Sequence, residues 1–71
     1  MIYERIKELR KETGLSQEKV AQELSMYVTT YRRYESGERE LPMEVAVRIA
    51  DYYGVSLDYL AGRSNDRAIK E

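Results

Sequence analysis

The 71 residues are enough for one small domain, and the sequence contains neither cysteine nor histidine. Disulfide bonds, ordinary zinc or haem ligation and thiol chemistry are therefore excluded, and we expect no metal or other cofactor. The formal net charge is −1, which is unusual for a protein that binds nucleic acid through charge alone.

The sequence gives no sign of a membrane or secreted protein. No apolar run approaches the roughly 20 residues that cross a bilayer, and the first ten residues are too charged for a signal peptide. We therefore expect a cytoplasmic protein. We do not expect an enzyme, because the chain lacks histidine and cysteine and its carboxylates fall on solvated helix faces rather than in a cleft.

The first helix is indicated by apolar residues at helical spacing. Ile2, Ile6 and Leu9 recur at intervals of four and three residues, which is the period of one buried helix face. Gly14 accepts the left-handed conformation that ends a helix. The first helix is therefore predicted from about Ile2 to Glu12.

Two further helices are predicted on either side of a short turn. The second spans Gln17–Leu24, with Ser16 as its N-cap, and the third spans Val28–Glu35. Two helices across a tight turn are a common way to place side chains in the DNA major groove. The polar and basic outer face of the third helix consists of Thr29, Thr30, Arg32 and Arg33.

The second half of the chain predicts two more helices and a tail. Pro42 suits the first turn of the fourth helix, which is the most apolar element and extends to Tyr53. Ser56 caps a short fifth helix that closes at Gly62. The tail, residues 63–71, has no clear apolar period, so we predict that it is frayed or disordered. The prediction is an all-α bundle of five helices.

Three stretches of the sequence together resemble one family of DNA-binding proteins. They are LSQEKVAQEL at 15–24, YRRYESGER at 31–39 and ADYYGVSLDYLAG at 50–62. Their residues and spacing resemble the Cro/cI-type, or XRE-type, helix-turn-helix family of phage repressors and bacterial regulators. The resemblance implies a lambda-repressor-like domain over residues 1–62, in which the second and third helices form the helix-turn-helix.

The resemblance also implies roles for individual residues. The positions from which the family reads base edges are Val28, Thr29, Thr30 and Arg33. Gln17 and Arg39 match positions that contact DNA phosphates, and we add Arg32 and Tyr27 as further phosphate candidates. Arg10 and Glu35 match a structural ion pair of the family that joins the first helix to the end of the third.

Other roles stay open for several of these residues. Arg33 has the forked donors that match guanine O6 and N7, but a solvated arginine paired with Glu35 or Glu38 is the alternative. Arg32 either reaches DNA or faces sideways. For Tyr27, the alternative to a phosphate contact is a ring that packs over the turn.

Three residues depart from the family pattern, and all lie at the turn. Ser25 replaces the usual glycine, Tyr27 replaces a small polar cap, and Val28 replaces a polar reading residue. Ser25 must close the turn without the low-cost positive φ of glycine. Val28 offers only apolar contact, for example with a thymine methyl group.

The function that the resemblance implies is sequence-specific binding of double-stranded DNA by a transcription regulator, expected to be a repressor. We expect a homodimer on a two-fold symmetric operator, without a small-molecule ligand, and with regulation from a partner, from concentration or from sequence outside this chain. The expected dimer surface is Leu57, Tyr59 and Leu60. The alternative is a protein-interaction module, such as an antitoxin or accessory factor, which the acidic pI and the non-polar Val28 favour.

Overall fold

A computed structural model describes residues 2–69 of the chain. The described residues form five helices and no strand, which confirms the predicted all-α fold. The helices are α1 (Ile2–Thr13), α2 (Gln17–Glu23), α3 (Val28–Ser36), α4 (Met43–Tyr53) and α5 (Leu57–Leu60).

Serine side chains cap two of the helices, as the sequence predicted. The Ser16 hydroxyl accepts a hydrogen bond of 3.0 Å from the Lys19 N–H at the start of α2. The Ser56 hydroxyl accepts one of 3.0 Å from the Tyr59 N–H at the start of α5. Each bond satisfies one of the free N–H groups in the first turn. Pro42 is the N-cap of α4, one residue before the first turn in which it was predicted.

The core is built from aliphatic side chains and tyrosines, because the sequence has no phenylalanine or tryptophan. The largest fully buried side chains are Tyr31, Ile6, Ile49, Leu60 and Val20. Burial of this kind is the main driving force of folding in a domain without disulfides. The Arg48 guanidinium of α4 donates to the carbonyl oxygen of Leu24 and so ties α4 to the end of α2.

The end of α3 is fixed by Gly37 and by the ring of Tyr3. Gly37 has a φ of +81°, a left-handed conformation that glycine adopts at little cost. A Cβ atom at this position would lie 3.0 Å from the ring of Tyr3 on α1. Glycine is therefore required both by the backbone conformation and by the close approach of α1.

The described part of the tail lies against α1 and α5, where a frayed or disordered segment was predicted. The Arg67 guanidinium contacts both carboxylate oxygens of Glu12, at 2.7 and 2.9 Å, and lies 5.0 Å from the ring centroid of Tyr59. The hydrogen bonds from Arg67 hold the pKa of the Glu12 carboxyl below its usual value. The Ser56 N–H donates to the Arg67 carbonyl at 2.9 Å, and Arg5 donates to the Asn65 side chain at 3.0 Å.

Among residues 2–69, no helix is both long and apolar enough to cross a membrane. In the same part of the chain, no three metal-ligating side chains lie close enough to hold a metal ion.

Candidate nucleic-acid interface

The turn between α2 and α3 is closed by backbone hydrogen bonds and by an unusual conformation at Ser25. The Ser25 N–H donates to the Gln22 carbonyl at 3.1 Å, and the Met26 N–H donates to the Ala21 carbonyl at 3.0 Å. Ser25 has a φ of 55°, and it is the one non-glycine residue with a positive φ among the described residues. A side chain in this region costs roughly 1–2 kcal/mol relative to the right-handed conformation. The turn therefore keeps a glycine-like geometry without glycine.

The start of α3 has no side-chain cap. Tyr27 is the N-cap residue, in an extended conformation, and its side chain makes no capping hydrogen bond. The side chain is 84% exposed, so the ring does not pack over the turn. The phenol instead projects into solvent at the junction of the two helices, where the sequence predicted a phosphate contact.

The outer face of α3 presents the predicted DNA-contacting residues unevenly. Thr29, Arg32 and Arg33 are exposed, whereas Thr30 is only partly exposed. Val28 packs against the hydrophobic core with part of its surface in solvent. Of the four predicted base contacts, Thr29 and Arg33 are therefore the most accessible.

Gln17 lies at the first turn of α2 and faces α3. Both the nitrogen and the oxygen of its side-chain amide form hydrogen bonds there. Its Nε2 atom donates to a Glu35 carboxylate oxygen at 3.3 Å. Its Oε1 atom accepts a bond of 3.1 Å from the Arg32 Nε–H. One N–H of the Gln17 amide remains for an external acceptor, since an amide NH₂ group carries two donors. This arrangement orients the residue that the sequence predicted as a phosphate contact.

Arg10 and Glu35 join α1 to the end of α3 through a forked ion pair. The Arg10 Nε and Nη2 atoms lie 2.9 and 2.8 Å from the two Glu35 oxygens, and Nη1 donates to the Leu15 carbonyl at 2.9 Å. The Glu35 side chain is only 2% exposed and the Arg10 side chain 14%. Parallel hydrogen bonds of this kind fix the relative orientation of the two side chains in addition to contributing energy. The pair therefore determines how α3 sits on α1.

Electrostatics around Glu35 reflect both burial and pairing. Burial opposes the charged carboxylate and is the largest single influence on its pKa. The hydrogen bonds and charge of Arg10, together with the Tyr31 hydroxyl and the Gln17 amide, outweigh burial and lower the pKa of Glu35 below its usual value. Burial, together with the neighbouring Glu35 charge, raises the pKa of the Tyr31 hydroxyl well above its usual value. Burial and nearby Tyr52 raise the pKa of Tyr53 to about 12. The hydroxyls of Tyr31 and Tyr53 are buried without a geometrically acceptable hydrogen-bond partner in the described chain.

Arg33 and Arg39 lie at the far end of α3. The Arg33 Nε atom is 3.3 Å from a Glu38 carboxylate oxygen, and both side chains are at least half exposed. The Arg39 N–H donates to the Arg33 carbonyl at 3.2 Å, and the Arg39 side chain is exposed. The pairing with Glu38 is one of the two alternatives that the sequence left open for Arg33.

The structure corrects the predicted dimer surface. Tyr59 is 5% exposed and Leu60 is fully buried, so both side chains fill the core of their own chain. Leu57 is 39% exposed and is the one residue of the three that reaches solvent substantially. The prediction was wrong for Tyr59 and Leu60 because a helix of only four residues gives too little periodicity to separate a buried face from an exposed one.

Sequence analysis also missed some partners of the predicted site residues. Glu18 lies 3.3 Å from the Arg32 guanidinium, and the Gln17 amide links Arg32 to Glu35. Glu38 had been named as one possible partner of Arg33 and, with Arg39, as part of the segment that the family places near phosphates. Residues that are close in space but 14 or more positions apart in the chain leave no local pattern that reveals such contacts.

The geometry defines a helix-turn-helix, in which α3 is supported by α1 and α2 and presents a polar outer face to solvent. A family model described as "Helix-turn-helix" matches residues 6–60. The chain therefore belongs to the helix-turn-helix family of the Cro/cI type. This membership confirms the resemblance of the three sequence stretches and agrees with the expectation that the domain is not an enzyme.

Several curated proteins are similar to this chain. It is 42% identical over 62 residues to the cryptic phage CTXphi transcriptional repressor RstR of Vibrio cholerae, which covers 87% of this chain and 55% of that protein. It is 35% identical over 72 aligned positions to the uncharacterized HTH-type transcriptional regulator YqaE of Bacillus subtilis, with coverages of 100% and 62%. Identity to the HTH-type transcriptional regulator AnsR of Bacillus subtilis is 34% over 67 residues, with coverages of 94% and 58%.

These relatives are longer than the present chain. The chain spans from 55% to 62% of the length of these three proteins. No solved structure matches the chain.

Proposed function

We propose that this domain binds double-stranded DNA sequence-specifically and regulates transcription as a repressor. The observation that carries the proposal is the family match across residues 6–60, which includes the whole helix-turn-helix. The names of the relatives, a phage transcriptional repressor and two transcriptional regulators, support it. A protein with this role acts in the cytoplasm of a bacterium or of a phage-infected cell.

In the proposed complex, α3 enters the major groove and α2 lies across the DNA backbone. The base contacts come from Val28, Thr29, Thr30 and Arg33. The phosphate contacts come from Gln17, Tyr27, Arg32 and Arg39. Support comes from the exposure of Thr29, Arg33 and Tyr27 and from the remaining N–H of Gln17, which lies at a helix N-terminus where anions bind favourably.

We further propose that two copies bind a two-fold symmetric operator with half-sites about 34 Å apart. Leu57 remains the candidate for the dimer contact, because it is the partly exposed residue of the surface first predicted. Residues 1–62 form the DNA-binding unit in this proposal, and the tail from 63 onwards supports it from the side of α1 and α5.

Selection from random-sequence duplexes at low salt tests the proposal directly. We expect an enriched sequence with two-fold symmetry, whose spacing reports the separation of the half-sites. If the dimer contacts about 6–10 phosphates, its affinity falls roughly 10³–10⁵-fold between about 50 and 200 mM salt. If no duplex is enriched, the domain does not bind DNA by this mechanism.

Arg33→Ala tests the role of the exposed arginine on α3. We expect a loss of about 1–3 kcal/mol in binding free energy and a relaxed preference at one base position, because the forked contact to guanine is removed. Arg63→Ala, which removes the same charge from the tail, is the matched control and leaves the preference unchanged. An equal loss on every sequence would assign Arg33 to a phosphate instead.

The second candidate function is a protein-interaction module, such as an antitoxin or accessory factor. The observation in its favour is the net charge of −1 and the sequence pI of about 5.5, since DNA-binding domains are usually basic. This candidate predicts that the duplex selection enriches nothing, while the folded domain still binds a protein partner with little dependence on salt.

A further inference from the structure

Both arginines on the outer face of α3 are paired with acidic residues that lie outside that helix. Arg33 contacts Glu38, in the segment after α3, with 3.3 Å between Nε and the carboxylate oxygen. Arg32 contacts Glu18, in the first turn of α2, with 3.3 Å between Nη2 and the carboxylate oxygen. Positive charge on this face is thus matched, pair by pair, by carboxylates of the same chain.

These pairs have little importance for folding. The side chains of Arg32 and Arg33 are each 50% exposed, and those of Glu18 and Glu38 are 66% and 69% exposed. Exposed pairs of this kind contribute about 0–1 kcal/mol to stability, because water screens the attraction and ordering the side chains costs entropy. A stabilising role therefore does not account for the matching of both arginines.

The pairs matter more for a ligand that needs the same donors. A guanidinium binds guanine or phosphate through N–H groups with the same planar geometry that it offers to a carboxylate. Arg33 uses its Nε–H side toward Glu38, and Arg32 uses its Nε–H toward Gln17 and its Nη2 toward Glu18. An incoming DNA strand competes with these acceptors for the same guanidinium groups, and it also repels the carboxylates.

We propose that Glu38 and Glu18 determine the DNA affinity of the domain by competing with DNA for Arg33 and Arg32. The inference rests on the proposed function and deepens it by assigning roles to two acidic residues. Each carboxylate holds its arginine in the free protein and is displaced when the guanidinium turns to a base or phosphate. The arrangement also explains how a domain of net charge −1 restricts attraction to arbitrary DNA, which is mostly electrostatic.

The decisive experiment compares Glu38→Gln with the unmodified domain on the duplex obtained by selection, by fluorescence anisotropy at several salt concentrations. Removal of the competing carboxylate is expected to lower Kd about three- to five-fold. This change corresponds to the free energy of one exposed ion pair. The slope of log affinity against log salt is expected to change little, because the same arginine charges act on DNA in both complexes. Glu18→Gln is expected to behave in the same way through Arg32.

A double-mutant cycle separates competition from general repulsion between DNA and an acidic side chain. If Glu38 acts through Arg33, Glu38→Gln tightens binding by less than about 1.5-fold in an Arg33→Ala background. Glu40→Gln, two positions further along, is the charge-matched control, since Glu40 makes no ion pair in residues 2–69. Circular dichroism confirms that each variant is folded.

The outcomes distinguish this proposal from the proposed function. If the unmodified domain binds no duplex, DNA binding itself fails, and the competition fails with it. If the domain binds DNA but Glu38→Gln gives no gain, or the same gain as Glu40→Gln or in the Arg33→Ala background, only the competition is overturned.

Discussion

The two ends of α3 are held very differently. At the C-terminal end, the Glu35 carboxylate bonds both Arg10 and Gln17, and Gly37 lies against the ring of Tyr3. At the N-terminal end, Ser25 has a φ of 55° and Tyr27 provides no capping hydrogen bond. Buried charge pairing restrains one end, whereas a strained turn and an exposed side chain precede the other.

This difference indicates how such a small domain positions a helix of nine residues. The buried end fixes the direction of α3 relative to α1, because forked hydrogen bonds tolerate little change in geometry. The end that carries Val28 and Thr29 has fewer restraints and therefore more freedom to adjust. Three predictions test the comparison, from the largest expected effect to the smallest.

Glu35→Gln disrupts the restrained end. The substitution leaves the guanidinium of Arg10, whose side chain is 14% exposed, without a charged partner. We therefore expect the free energy of unfolding to fall by about 3–5 kcal/mol. Urea unfolding followed by circular dichroism measures the change.

Two variants control that experiment. Glu38→Gln breaks an exposed pair and is expected to change stability by less than about 0.5 kcal/mol. Arg10→Met/Glu35→Leu leaves no stranded charge and is expected to recover most of the lost stability. An equally small effect of Glu35→Gln and Glu38→Gln would show that the two ends of α3 do not differ in this way.

Alkaline pH is expected to weaken the fold by a smaller amount than Glu35→Gln, because burial opposes ionisation of the Tyr53 hydroxyl, which interacts electrostatically with Glu35 and Arg10. The pKa of Tyr53 is about 12 in the folded chain and about 10 in an unfolded one. Between these values the unfolded chain loses a proton that the folded chain keeps, so stability falls as pH rises. The urea midpoint should therefore decline from about pH 10 upwards, and less steeply in Tyr53→Phe. A midpoint that stays constant to about pH 11 would contradict the prediction.

Ser25→Gly relaxes the other end and has the smallest expected effect. Glycine removes the cost of a positive φ but adds chain entropy, so we expect a gain of about 0.5–1 kcal/mol in unfolding free energy. Thermal unfolding measures it. The reverse control is Gly14→Ser, because Gly14 has a φ of 72° and open space around it. This variant is expected to lose a similar amount of unfolding free energy. A loss of stability in Ser25→Gly would mean that the serine side chain supports the turn.

Local patterns in the sequence were sufficient to predict the positions of the helices. Apolar spacing, Ser16 and Ser56 as caps, and glycines at helix ends placed the boundaries within about one residue, because each signal acts over a single turn. The family resemblance added the pairing of Arg10 with Glu35, which lie 25 positions apart and share no local pattern.

The features that the sequence did not predict depend on contacts between residues far apart in the chain. The links from Arg32 to Gln17 and Glu18, and from Arg67 to Glu12, appear only once the helices are packed. Tyr59 was assigned to a dimer surface from the family resemblance, which does not show whether a given side chain of the fifth helix faces a partner or its own core. The base contacts assigned to the outer face of α3 stay predictions.

The exposure of Tyr27 makes the turn an optical probe. The sequence has no tryptophan, so the near-ultraviolet emission of the protein comes from its seven tyrosines. Tyr31, Tyr34 and Tyr59 are shielded from solvent, whereas Tyr27 is 84% exposed. A dissolved quencher such as iodide therefore reaches the phenol at the helix-turn-helix junction more readily than those in the core. Because Tyr52 is also 38% exposed, protection of the quenchable emission by a duplex would report coverage of this junction if that protection is lost in Tyr27→Phe.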